Sequence, residues 1–275
     1  MTKRILMLLS AVVLALAALP AAVAQDALLS DTVKSKSLAV PTGFATTNTC
    51  QSTYTSGSGP SYMKFCVTTN GNIAKFESPQ GFTQMYAEGY GVCDNTIPSS
   101  GYWVDYYDYE YTGSSNWATP TVVQPNGPNT FPLKIVRSSS DGIWTLTQTF
   151  SRNTAEQIVK VGMQLTNNSA GTRTAYLTRY ADIDANGSAI YNFADADTDS
   201  AWVYSGNGLM LHPLPDNFGY GSNVGQIVKP NSATACSGPA LQSPRQGDSA
   251  VKYWWSSTAI APNSTKTVSF EYRTM

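Results

Sequence analysis

Polar and apolar residues alternate with a period of two along much of this chain, and past Leu29 no stretch repeats apolar positions at helical spacing. The clearest run sets Val159, Val161, Met163 and Leu165 against Lys160, Gly162, Gln164 and Thr166, then stops in Asn167-Asn168-Ser169-Ala170-Gly171. Alternation resumes at Ala175, Leu177 and Arg179. Successive side chains of a strand point to opposite faces, so each run buries one face, and the turn residues between them predict an antiparallel hairpin. Shorter runs predict strands over 62–67, 72–76, 102–111, 133–137, 143–150, 201–204, 251–256 and 268–272, separated by clusters of Gly, Asn, Ser, Asp and Pro. About a dozen strands with no internal repeat at a fixed period argue for an all-β domain, a large antiparallel two-sheet β-sandwich, rather than a propeller or solenoid. No linker divides the chain, and a single domain is expected over 37–275.

The N-terminus breaks this pattern. Lys3 and Arg4 precede an apolar run from Ile5 to Leu19, and Ala22-Val23-Ala24 places small residues at a cleavage spacing. Residues 1–24 therefore read as a secretory signal peptide and 25–36 as a short lead into the domain. The run falls short of the roughly 20 apolar residues of a membrane span, and no second one follows. The expected location is secreted or extracytoplasmic (periplasm or cell surface), with no membrane span after signal cleavage. Export makes the cysteines legible: Cys50, Cys66, Cys93 and Cys236 form an even set without CxxC pairs, which predicts disulfides rather than zinc. Of the possible connectivities, Cys50 with Cys66 across a short hairpin and Cys93 with Cys236 between the two halves is the favoured one.

Composition narrows the function classes. Only 13% of the residues are charged and the formal net charge is −1, so the concentrated basic face of a nucleic-acid binder is missing. Sixteen Tyr and six Trp argue against disorder. Catalytic signatures fail as well. His212 is the only histidine, beside Pro213 in what reads as a turn; no GxSxG elbow and no glycine-rich phosphate loop occurs.

Two constellations carry candidate chemistry. Asp182, Asp184 and Asn186 alternate before Gly187 like the first half of a calcium loop, and Asp195, Asp197 and Asp199 repeat the alternation downstream. Two acidic arms converging on one calcium ion is the expectation, structural in role; Asp and Asn supplying ordinary turn chemistry is the competing one. In the second, the 102–111 strand places Trp103, Asp105, Tyr107 and Tyr109 on one face, and Trp117, Trp254 and Trp255 extend such a platform. Rings cover the apolar faces of sugars while carboxylates accept their hydroxyls, so an extracellular glycan is the expected partner; rings that fill the space between two sheets are the alternative. Arg179, on the core face of its strand, is expected to find its counter-charge in the 195–199 arm. The sequence thus points to an exported, non-catalytic polysaccharide-binding protein. Alternatives are a polysaccharide-active glycosidase or lyase using a pair such as Asp105 and Glu110 or a Tyr base, and a structural surface protein. Oligomeric state is not legible.

Overall fold

A computed structural model describes residues 50–96, 104–109, 113–218, 224–228, 235–236, 240–241 and 244–275. Its strands in chain order are β1 (Cys50–Ser56), β2 (Met63–Thr68), β3 (Ile73–Glu77), β4 (Ala87–Asp94), β5 (Val104–Tyr109), β6 (Gly113–Ser115), β7 (Thr121–Val123), β8 (Leu133–Ser138), β9 (Trp144–Asn153) and β10 (Ile158–Asn167). They continue as β11 (Arg173–Asp182), β12 (Phe193–Ala196), β13 (Ala201–Ser205), β14 (Asn207–Leu214), β15 (Val224–Val228), β16 (Ala240–Leu241), β17 (Arg245–Gln246), β18 (Ala250–Ile260) and β19 (Thr265–Thr274). These form a nine-stranded sheet, a seven-stranded sheet and a three-stranded sheet, all with antiparallel neighbours. The sandwich is as expected, with a third small sheet added.

The alternation on β10 does what the pattern requires: Val159, Val161, Met163 and Leu165 are buried while Lys160 and Gln164 are exposed. The hairpin expected with β11, however, does not form. β10 pairs with β9 and β19 in the nine-stranded sheet, and β11 pairs with β4 and β18 in the seven-stranded one. The Asn167–Gly171 turn carries the chain from one sheet to the other. Period-two patterning decides which face of a strand is buried, not whether the next strand lies beside it or across the core. His212 departs from its expected turn in a similar way: it lies within β14, half-buried, with Nδ1 2.9 Å from Ser200 Oγ.

Between the two large sheets lies one apolar cluster built from inward side chains of both, including Val92, Tyr106, Leu177 and Trp255 facing Leu146, Val161, Leu211 and Phe270. The three-stranded sheet packs into it through Tyr54, stacked 3.9 Å from Phe131, and through Phe76 beside Tyr272. Its β2–β3 tip is buried among polar groups: Tyr90 donates to the Asn70 carbonyl at 2.6 Å, Arg179 to the Gly71 carbonyl at 3.2 Å, and the Ile73 N–H donates to Glu88 at 2.6 Å. Arg179 is wholly buried. Its partner is Glu88 of β4, not the 195–199 arm, with Nε 2.5 Å from Oε1, and a further nitrogen donates to Gln148 at 2.5 Å. A second buried pair joins Arg137 to Asp108 at 2.6 Å.

Both expected disulfides are present. Cys50–Cys66 staples the β1–β2 hairpin, and Cys93–Cys236 ties β4 to a segment 143 residues downstream.

A polar face and an acidic end on the seven-stranded sheet

Directly paired residues of neighbouring strands project from the same face, so the register of the seven-stranded sheet maps the surface turned away from the core. One row is Tyr109, Gly89, Tyr180 and Lys252; the next is Tyr107, Gly91, Thr178 and Trp254; a third is Asp105, Cys93, Tyr176 and Ser256. At one end of these rows Ala87, Asp182 and Ala250 lie side by side. Asp105, Tyr107 and Tyr109 thus share a face as their alternation predicts. Trp103 lies outside the described residues. Trp117 belongs elsewhere: it is buried between the large sheets, its ring tilted against Tyr90 and Tyr106 with the Arg137 guanidinium over it, because that bulk fills core volume beside β8.

This face is not an open aromatic platform. Tyr109 is buried with its ring edge-on to Tyr180 at 5.5 Å, over the side-chain-free Gly89, and Tyr107, Tyr176 and Trp254 are no more than half-exposed. Ala235 sits above Gly91, where an added Cβ would come within 3.1 Å of the Ala235 methyl, and its N–H donates to Asp105 at 3.2 Å. Asp105 and the Cys93–Cys236 bridge therefore fasten the same segment onto the sheet. Lys252 is completely buried with its ammonium 4.6 Å from the centre of the Trp254 ring. Burial pulls its pKa down to about 7 against the opposing pull of Asp105.

The acidic end is different. β11 stops at Asp182, and Asp184 leads into a single 3-10 turn, Ala185–Gly187, in which Asn186 takes a left-handed conformation with φ 59°. Asn186 braces that turn: its Nδ2 donates to the Ser205 carbonyl and its Oδ1 accepts from Asn207 at 3.1 Å. Asp248 arrives from the turn before β18, which Gly247 makes at φ 110°. Asn192 fastens the two loops, donating through Nδ2 to the Ile183 carbonyl at 3.1 Å and accepting the Gly247 N–H at 2.9 Å. Carboxylate oxygens of Asp182, Asp184 and Asp248 consequently all lie within 4.8 Å of one another.

Two of the six expected metal-ligating residues, Asp182 and Asp184, are brought together, and Asp248 stands where the second arm was expected. Asp195, Asp197 and Asp199 lie on β12 and its turn into β13. Asp197 there accepts the N–H groups of Asp199 at 2.8 Å and Ser200 at 2.5 Å, which is turn chemistry. No local signal marks Asp248, because its partners are distant in sequence and only strand pairing unites them.

The three acids repel one another's charge. Burial first, then Asp184 and Asp248, push the pKa of Asp182 up to about 7, while the hydroxyls of Tyr180 and Tyr109 work the other way. Asp184 is raised as well, by burial and by Asp248. Around this end the surface carries large exposed side chains. Tyr86, whose N–H donates to the Asp182 carbonyl at 2.9 Å, is 52% exposed. Ile190 and Tyr191, just before Asn192, are each 72% exposed.

No known family model and no curated protein matches the chain. Solved structures do resemble it. A bacterial glucoamylase complexed with acarbose superposes with a TM-score of 0.53 at 12% identity over 88% of this chain and 34% of that one, so this chain spans about a third of the glucoamylase. A protein of Escherichia coli K12 assigned as an aldose 1-epimerase superposes with a TM-score of 0.50 at 12% identity, over 82% of this chain and 99% of that one. The class established is a large antiparallel β-sandwich of a fold also found in carbohydrate-related proteins.

Proposed function

We propose that this is an exported, non-catalytic β-sandwich protein that binds an extracellular polysaccharide at the acidic end of the seven-stranded sheet, with calcium as a structural cofactor of that end. The observation carrying the reading is that Tyr86, whose N–H bonds the Asp182 carbonyl, and Tyr191, next to the Asn192 that fastens the two acidic loops, both expose their rings. Large exposed apolar groups grouped on one surface are characteristic of binding sites. Rings of this kind cover the flat faces of pyranoses, and carboxylates accept their hydroxyls. The half-exposed Tyr107 supports the same role further along that face, with Asp105 and Tyr109 beside it on β5. Export is supported by the two disulfides, which persist in oxidising compartments. Among the described residues no helix is long and apolar enough to cross a membrane.

An enzyme on the same scaffold is the second reading, favoured by one observation: Asp182, pushed up to about 7, would hold a proton at neutral pH beside an acidic neighbour. Spacing weighs against an inverting pair, whose carboxyl groups stand about 6.5–9.5 Å apart, since facing oxygens of the three acids lie within 4.8 Å of one another. Pull-down on insoluble polysaccharides and a glycan array, with product analysis of the same incubations, tests both. Retention without turnover, lost in Tyr86→Ala/Tyr191→Ala, is the expected result. Absence of retention across the panel overturns binding, and reducing-end release abolished by Asp182→Asn establishes the enzyme instead.

A further inference from the structure

We infer that Asp182, Asp184 and Asp248, together with the side-chain oxygen of Asn192, form a site for one calcium ion that locks the end of β11 to the turn preceding β18. This deepens the calcium part of the proposed function by naming its ligands, and it stands whether or not a glycan binds.

Converging acids alone do not make a metal site, since exposed carboxylates gather without one. Two further oxygens decide the matter here. Asp182 is buried, and although the Tyr180 and Tyr109 hydroxyls reach its carboxyl, its Oδ1 has no hydrogen-bond donor. Asn192 is completely buried, and its Oδ1 also has none, while its Nδ2 and its main-chain carbonyl are engaged by Ile183 and Gly247, the neighbours of the acids. A buried acceptor left without a donor needs a partner, and where it stands with converging carboxylates a cation supplies one. Lys252, one row away on β18, does not fill that role, since it stacks over Trp254. Glu88, next to Ala87, points to the opposite face and is paired with Arg179. The three carboxylates and the Asn192 amide oxygen are all acceptors.

The donor set selects the ion. Three carboxylates and an amide oxygen are hard ligands that suit calcium or magnesium, and they lack the nitrogen and sulfur that hold zinc or copper. Four protein oxygens on two separate loops suit the flexible six- to eightfold shell of calcium better than the strict octahedron of magnesium. Asp184 and Asp248 face outward, so the remaining positions fall to water.

Calorimetric titration of the purified chain with calcium chloride at pH 8 tests this, together with terbium luminescence excited through Tyr109 and Tyr180. One saturable site is expected. Asp248→Asn, an exposed position that leaves folding intact, weakens calcium binding at least tenfold. Asp195→Asn/Asp199→Asn leaves it unchanged. No saturable binding at pH 8 with millimolar calcium overturns the inference, as does wild-type affinity in a folded Asp248→Asn protein or loss of binding in Asp195→Asn/Asp199→Asn.

Discussion

β11 carries a buried charge on each of its faces, and the two are treated in opposite ways. On the core face Arg179 meets Glu88, Gln148, the Gly71 carbonyl and the rings of Tyr90, Phe150 and Phe270. On the other face, three residues further along, Asp182 meets two more carboxylates. The first arrangement neutralises itself and needs nothing from outside, so it reads as architecture. The second is left with an excess of negative charge and with acceptors lacking donors, which folding alone does not favour. Burial is therefore no guide to role by itself; the balance of charge and hydrogen bonds around the buried group is.

The sharpest way to break this comparison is to unbalance the balanced side. Arg179→Met leaves Glu88 ionisable in the core with no counter-charge, and a loss of about 3–5 kcal/mol in denaturant unfolding is expected. Adding Glu88→Met removes the orphaned charge and recovers most of it. A single substitution costing under about 1 kcal/mol would show that the pair is not what holds the β2–β3 tip between the sheets.

The next effect lies on the outer face. Cys93–Cys236 closes a far longer loop than Cys50–Cys66, 143 residues against 16. Loop entropy then gives it the larger share, about 5 kcal/mol against about 3. Replacing each pair by alanine and comparing melting temperatures checks the order. A larger loss from the shorter bridge would mean that fastening the Ala235 segment over Gly91 and Asp105 contributes little to stability.

How much of this was readable beforehand follows from the range of each interaction. The strand pattern, the fold class, both disulfides and the shared face of Asp105, Tyr107 and Tyr109 follow from local alternation and cysteine spacing. β4 was not foreseen, because all eight of its residues are buried and no polar face marks its period. The partner of Arg179 lies on that strand, so it was missed too and sought in the nearest acids instead. Trp117 was assigned to a surface since composition cannot tell a ring that fills a core from one that binds sugar. In the acidic end Asp182 and Asp184 stood out locally, whereas Asp248 joins them only through the β12–β17 and β11–β18 pairings.

Asp182 supplies the pH test of the unbalanced side. A carboxyl whose folded pKa, about 7, lies above its unfolded value of about 4 contributes stability that is full below about pH 4 and is lost as pH rises through 7. Calcium-free protein is thus expected to lose on the order of 1–3 kcal/mol across this window from the acidic end, after allowance for its coupling to the two partly exposed acids. Asp182→Asn flattens that part of the profile and is more stable than wild type at pH 8 in chelator. Chemical unfolding at several pH values reads it, and a wild-type profile that rises from pH 5 to pH 8 without calcium would place Asp182 in a balanced environment after all.

Tyr191 gives the smallest effect on folding and the cleanest separation of rings that meet a ligand from rings that build the sheet. Its ring is largely exposed, so Tyr191→Ala removes little buried surface and should change stability by no more than about 0.5 kcal/mol. On the proposed function the same substitution weakens retention on polysaccharide, because the ring's area is used only when a sugar covers it. Tyr109→Ala makes the opposite pairing: it empties a buried site against Tyr180 and costs about 3–5 kcal/mol, with any loss of retention following the loss of fold. Melting curves and pull-downs on the two variants therefore divide the aromatic residues into those that build the sheet and those that meet a ligand. Equal retention by Tyr191→Ala and wild type would move the binding surface away from the acidic end.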